Sequence, residues 1–279
     1  LKKNEIKYRN LLIENESIVF NLNKNDLIKF ENLFLNKENS INSYIEKYKS
    51  YEMEHLIESD QITLNYSRYG LIEIKESSLN QSLEIVRRRI DEVGTNEPTI
   101  IKRGNDRILV ELPGLDDPNR VKKLLGKTAN LSFRLVDDGD DTFGSETLSF
   151  ENEESQLKVN KRIIMSGDNL TNAEPRFDNR SNETIVSFTL DRVGAKRFAR
   201  TTTNNVGKRL AIILDNKIIS APQIREPIIG GSGQISGDFT FQSATDLALL
   251  LRSGALPAPL NIIEERTVGP DLGEDSIKA

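Results

Sequence analysis

The stretch SLEIVRRRIDEVGTNEPTIIKRGNDRILVELPGLDDPNRVKKLLGKTANLSFRLV (82–136) decides the reading of this chain. Leu83, Val86, Ile90 and Val93 recur at helical spacing and make one apolar stripe, with Glu84 placed to pair with Arg88 on the wet face. Gly94 stops that helix, because glycine takes a left-handed position after the last turn without a Cβ penalty. Two β-rich runs around Gly104-Asn105-Asp106 predict a hairpin. Asp117 offers a capping carboxylate, Pro118 suits the first helical position and Gly126 ends the second helix. Leu131, Phe133 and Leu135 alternate as in a strand, as do Ile62, Leu64 and Tyr66 just upstream. The order β-α-β-β-α-β predicts an α+β protein with a ferredoxin-like base.

Working outward, residues 1–60 predict a small α+β module: a strand at SIVFNL (17–22), then helical spacing at Leu27, Phe30, Leu33 and Phe34 and again at Tyr44, Ile45 and Tyr48. The acidic run DDGDDTFGSETLSFENEE (137–154) reads as a linker or long loop. A β-rich region follows, with a strand at 183–190, a helix capped by Asp191, and a hairpin through Asp215-Asn216. SATDLALLLRSG (243–254) opens with a Ser243/Asp246 capping box and reads as a helix stopping at Gly254. Pro257 and Pro259 break the chain, PLNIIEERTV (259–268) reads as a strand, and Gly269-Pro270 closes it. The last helix and strand match the base in style. The expected organisation is therefore a base split over 61–137 and 240–270, with a β-rich α+β head inserted at 138–239.

Composition narrows the function. With 279 residues and 37% hydrophobic side chains the chain can bury a core without staples. It has no Cys, which excludes disulfides, cysteine zinc sites and cysteine nucleophiles. A net charge of -5 argues against nucleic acid. The longest apolar runs fall far short of the ~18 residues of a membrane span. LKKNEIKYRN has no Met and no apolar stretch, so the start reads as that of an excised fragment rather than a signal peptide.

The tempting motifs read as structure. LLGKT (124–128) has Val121 where a phosphate loop needs Gly, and its Gly126 follows a helix end, where carbonyls rather than N–H groups are free. GGSGQISG (230–237) precedes a strand, not the helix of a dinucleotide site, and reads as a flexible connection. Asp137, Asp138, Asp140 and Asp141 lack the ligand spacing of a calcium loop. His55 is the only histidine, expected at the surface, which removes His-based triads and zinc sites. The run Arg87-Arg88-Arg89 reads as a salt-bridged helix face, and Glu264-Glu265 point to opposite faces of a strand. No catalytic constellation emerges. The expectation is a non-enzymatic binding or mechanical module without cofactor or metal.

Two blocks carry a resemblance. RRRIDEVGTNEPTIIKRGNDRILVELPGLDDPNRVKKLLGKTANLSFRLVD (87–137) and FQSATDLALLLRSGALPAPLNIIEERTVGPDLG (241–273) closely resemble the first periplasmic domain of the SecD family, accessory subunits of the bacterial Sec protein-export machinery. SGDNLTNA (166–173) and ISGDFT (235–240) look more loosely like the family's head subdomain, so the resemblance covers about 61–279. Residues 1–60 resemble only its variable N-terminal part. The family's DLQGG-type motif, membrane helices and proton-pathway residues are absent from this sequence.

The resemblance implies a domain on the periplasmic side of the inner membrane, anchored there in the full-length protein, that works with SecF and the SecYEG channel. It implies capture of unfolded preprotein in a cycle driven by the proton gradient. Residues 271–279 would then lead into a membrane helix, with Gly254, Pro257, Pro259, Gly269 and Pro270 as the membrane-linking segment. A swinging head needs hinges where the insert leaves and rejoins the base: Asp137, Asp138 and Gly139 on one side, Gly237 and Asp238 on the other. A grip on sequence-independent chain needs exposed apolar surface. Ile228 and Ile229, beside a proline and glycines, are the first candidates, and Ile218 and Ile219 the next. The alternative is a static scaffold that contacts SecF or the channel without gripping substrate.

Overall fold

The structure, a computed structural model, describes residues 1–266 except 15, 39–40, 140–143, 152 and 180. The protein is α+β, with its strands divided among several small antiparallel sheets. It forms two compact units. Leu1–Asn80 with Lys102–Ile108 make one; 81–101 and the described residues from 109 to 266 make the other.

In the first unit, β1 (Tyr8–Glu14), β2 (Ser17–Leu22), β5 (Met53–Glu58) and β6 (Gln61–Tyr66) form a sheet in the order β1-β2-β6-β5. Helix α1 (Lys24–Phe34) starts where the Asn23 side chain accepts from Asp26 N–H at 2.8 Å. It buries Phe30 and Phe34 on Phe20, Leu22, Ile62 and Leu64. The helical spacing at Tyr44, Ile45 and Tyr48 misleads. Those residues open a short hairpin of β3 (Tyr44–Ile45) and β4 (Ser50–Tyr51), with Tyr44 and Tyr51 edge to face at 5.1 Å. The buried Asn42 side chain exchanges hydrogen bonds with both Met53 N–H and Met53 C=O and stitches the hairpin's base. His55 is half-buried, its ring against Phe34 at 5.2 Å, rather than lying free at the surface.

Helix α2 (Arg68–Val93) begins fifteen residues before Leu83, the first residue of its apolar stripe. Ser67 Oγ accepts from Gly70 N–H at 2.9 Å and starts it. Gly70 is obligatory, because a Cβ there would lie 2.0 Å from the Glu52 carbonyl oxygen. The hairpin of β7 (Thr99–Arg103) and β8 (Arg107–Glu111) and helix α3 (Pro118–Gly126, capped by Asp117) form as expected.

In the second unit, β9 (Leu131–Leu135) lies in a sheet ordered β12-β9-β15-β16. Its other strands are β12 (Met165–Ser166), β15 (Leu210–Leu214) and β16 (Lys217–Ser220). All of β15 is buried because both faces of the sheet are covered. Leu210, Ile212 and Leu214 enter the main core; Ala211 and Ile213 enter a second one. Asp215 and Asn216, both at positive φ (49° and 64°), form the tight β15–β16 turn. The second face is roofed by a hairpin of β10 (Ser145–Ser149) and β11 (Gln156–Asn160). The supposed linker 137–154 thus contains a strand, β10, which pairs with β11 just beyond it; Leu148 and Phe150 of the run pack with Leu157 on the second core.

Strands β13 (Leu170–Asp178), β14 (Glu183–Leu190) and β17 (Ser232–Phe239) form a three-stranded sheet. Helices α4 (Arg192–Asn204) and α5 (Phe241–Ser253) pack in the core that this sheet shares with β9 and β15. Phe133, Phe188 and Phe198 meet there with ring centroids 5.5–6.2 Å apart. The glycines of GGSGQISG do not make a flexible connection. Gly233 sits in β17 because the Phe188 ring lies 2.4 Å from where a Cβ would stand. The cap of α5 is Thr240, accepting from Ser243 N–H at 3.1 Å, and Asp246 instead pairs with Arg120.

The ferredoxin-like base is not what the strands form. All six elements occur in the expected order and β7 pairs with β8, but β6 pairs with β2 and β5, and β9 with β12 and β15, so the strands do not share one sheet. Ile62 of β6 stands opposite Phe20 of β2, and Phe133 of β9 opposite Ile212 of β15. The expected closing strand is unpaired as far as 266. Pro257 and Pro259 bring no N–H to a ladder, and 261–266 are exposed. Helix α5, expected to complete the base, packs on β13 and β14.

Candidate functional site

The two sequence blocks meet at one buried side chain. Arg89 is fully buried, and its guanidinium is spent on backbone carbonyls at two helix ends. At the end of α3 it donates to Leu124 O (2.7 Å) and Lys127 O (2.5 Å). At the end of α5 it donates to Ser253 Oγ (3.3 Å) and Gly254 O (3.2 Å). A cation suits both places, since free carbonyls and the helix dipoles make them negative. Burial lowers the Arg89 pKa to about 10, partly offset by the attraction of Asp215. Asp215 in turn accepts from Asn130 N–H (2.8 Å), Ala129 N–H (3.1 Å) and the Thr128 hydroxyl. The Gly126-Lys127-Thr128 sequence therefore serves this junction.

The same junction fixes the segment RSGALP. Arg252 holds Glu92 through two nitrogens, which raises the arginine pKa and keeps the Glu92 carboxyl below its usual range. Gly254 ends α5 at φ +90°, where other residues are strained. Leu256 N–H donates to Thr128 O at 2.8 Å and its side chain is buried. Pro257 and Pro259 are exposed beyond this anchor. Gly269, Pro270, Asp140 and Asp141 lie outside the described residues.

The two expected hinges are well tethered. The Asp137 carboxylate accepts from the Ser145 hydroxyl and from Gly139 N–H (3.1 Å), and these hydrogen bonds hold its pKa below the ordinary value. Lys158 donates to Gly139 O at 2.8 Å, while Asp138 is exposed. Gly237 and Asp238 lie inside β17, at a register shift between the Val186↔Ile235 and Thr184↔Phe239 pairs. That irregularity is the one break in the β14–β17 ladder.

The four isoleucines separate. Ile218 has no exposed surface and belongs to the second core, so no ligand can reach it. Ile219 is half-buried against the main core. Ile228 is half-buried too, and its N–H donates to Thr202 Oγ1 of α4 at 2.9 Å. Ile229 is 75% exposed on the irregular stretch before β17. Only Ile228 and Ile229 combine an anchor with an accessible apolar side chain. Arg89 was hidden in a basic run: Arg87 pairs with Glu84 at 2.9 Å and Arg88 is exposed, while Arg89 is core. Its one sequence signal is its place one residue before the stripe position Ile90.

Among the described residues, no group of His, Cys, Asp and Glu is placed to hold a metal ion. No helix among them is long and apolar enough to cross a membrane.

Known proteins resemble this chain in sequence and fold. Residues 130–258 match the family described as "SecDF, P1 head subdomain", and 79–138 match "Protein translocase subunit SecDF, P1 domain, N-terminal". Protein translocase subunit SecD of Rickettsia bellii is 43% identical over 287 residues, covering 100% of this chain and 53% of its own. SecD of Acetobacter pasteurianus is 52% identical over 209 residues, covering 72% and 40%. The chain thus spans about half the length of the curated relatives it matches. Among solved structures, one described as "Structure and function of a membrane component SecDF that enhances protein export" is 34% identical with a TM-score of 0.59. It covers 69% of this chain and 94% of its own. SecDF in a "Super-membrane-facing form" is also 34% identical, with a TM-score of 0.60, covering 72% and 29%. With both family patterns in place, and a SecD relative aligned along the whole of the given chain, this chain belongs to the SecD/SecDF family of protein-translocase subunits.

Proposed function

We propose that the chain is the periplasmic portion of a membrane-anchored SecD, and that it captures unfolded preprotein emerging from the SecYEG channel. It has no enzymatic role. SecF and the membrane part supply the proton-driven cycle, and residues 138–239 form the head that moves. The observation that carries this reading is Ile229, 75% exposed beside the anchored Ile228 on an unpaired stretch of head. A chain of no fixed sequence offers apolar side chains and backbone, and such a surface takes both. Burying ~300 Å² of apolar surface contributes about 7 kcal/mol, and ordering the bound chain removes roughly 2–5 kcal/mol. The grip is weak, as a cycle that must release requires. The flexing points are Asp137, Asp138 and Gly139 on one side and the β17 irregularity at Gly237 and Asp238 on the other.

The test is fluorescence anisotropy of a labelled secretory polypeptide, unfolded and folded, with wild type and Ile229→Asp. Binding of the unfolded form alone, weakened in the variant, supports capture.

One observation favours a second reading, a static scaffold for SecF or the channel. The Asp137 side chain is tied to Ser145 and Gly139, and Gly237 and Asp238 lie within a paired strand. Export that survives a disulfide locking the head would select it.

A further inference from the structure

Helix α4 presents an unneutralised stripe of positive charge. Its thirteen residues, RVGAKRFARTTTN, contain four cations and no carboxylate. Arg192, Lys196 and Arg200 recur every fourth residue on the face opposite the buried Gly194, Phe198 and Thr202, with Arg197 beside them. All four are exposed, and none is in an ion pair among the described residues. Several other arginines of this unit are used differently: Arg120, Arg134, Arg176 and Arg252 each hold a carboxylate. The acid just before the helix, Asp191, caps Gly194 N–H at 2.5 Å and makes only a Coulombic interaction with Arg197.

Apolar side chains lie among these charges. Val193 is 52% exposed on the same face. The stretch carrying Ile229 runs along α4, since Ile228 N–H reaches Thr202 and a Cβ on Gly231 would touch that of Ala195. Arg225 and Lys208 are exposed near the C-terminal end of the helix, with Glu226 the acid beside them.

We infer that α4 is a docking face for an anionic lipid bilayer surface. The stripe from Arg192 to Arg200 runs about 12 Å along the helix axis at 1.5 Å per residue. It converges on no cleft, so it suits a planar, diffuse array of negative charge better than one ligand. Long cationic side chains around exposed aliphatic ones are what an interfacial helix places among lipid headgroups. The chain as a whole carries −5, so the patch also sets orientation: the rest of the surface is repelled where α4 is attracted. This inference rests on membership in a membrane-component family and is independent of preprotein capture.

The test is co-sedimentation of the 279-residue chain with phosphatidylcholine vesicles, with and without phosphatidylglycerol, at low and high salt. Binding should require phosphatidylglycerol and disappear at high salt. Lys196→Gln/Arg197→Gln/Arg200→Gln should weaken it about a hundredfold. Lys2→Gln/Lys3→Gln/Lys7→Gln removes equal charge from exposed positions of the first unit and should leave binding almost unchanged. Equal loss in both variants, binding without phosphatidylglycerol, or polyglutamate binding in place of vesicles would overturn the inference. The last outcome would identify an acidic polypeptide as the partner. Unchanged melting of the helix variant and an intact anisotropy response to unfolded chain keep the two proposals separately falsifiable.

Discussion

Arg89 donates to the Gly254 carbonyl at 3.2 Å, across 165 residues of sequence, and so ties the long α2 helix to the chain leaving α5. The same guanidinium closes the end of α3, so one side chain satisfies the free carbonyls of two helices.

Arg89→Met should therefore be strongly destabilising. It keeps the apolar stem but leaves several buried carbonyls without a donor. The expected loss is about 3 kcal/mol, read as a lower urea midpoint at unchanged slope. Arg89→Lys should recover only part, because one ammonium cannot reach both helix ends. A variant as stable as wild type would contradict the assigned role.

Gly233→Ala should cost roughly 1–3 kcal/mol by forcing the Phe188 ring out of the core. Gly230→Ala, with nothing within 4 Å of its added Cβ, is the matched control and should change little. Thermal melts of the two proteins distinguish close packing from chain flexibility as the reason for this glycine-rich run.

Acid should loosen the contact between Asp137 and Ser145. Hydrogen bonds hold the Asp137 carboxyl below its ordinary value, so the charged form is favoured in the fold. That contribution is complete above the unfolded-state pKa and is lost as pH falls through the depressed folded one, from about pH 4 downward. Asp137→Asn should flatten this part of the stability–pH curve, measured by urea unfolding from neutral to acid pH. An unchanged curve would show that the contacts add nothing.

Ile218→Asp and Ile229→Asp should diverge sharply. The first buries an unpaired carboxylate in the second core and should prevent stable folding. The second lies at the surface and should shift stability by less than about 0.5 kcal/mol. Circular dichroism melts decide.

Local signals in the sequence were dependable where one residue dictates a backbone conformation. Asp191 and Asp117 start helices, Asp215-Asn216 turns a hairpin, and Gly254 at φ +90° ends α5. Partners were not legible. Alternation says which side of a strand is apolar but not which sheet it joins, so β6 and β9 went to different sheets and the ferredoxin-like base did not form. Glycine misled in the head because Gly233 answers to a ring 45 positions earlier in the chain rather than to flexibility. Arg89 looked like its two neighbours, since burial of a cation at two helix termini leaves no mark on local sequence beyond its place beside the stripe position Ile90. The isoleucines looked alike for the same reason, and only packing separated Ile218 from Ile229.

The most direct test of the account is anisotropy of a labelled, unfolded secretory polypeptide titrated with this chain, beside Ile229→Asp of verified fold. Weak binding of the unfolded form alone, reduced in the variant, is the predicted result. Equal binding by both proteins, or none by wild type at the highest soluble concentration, would contradict capture at Ile228 and Ile229 and leave the scaffold reading in its place.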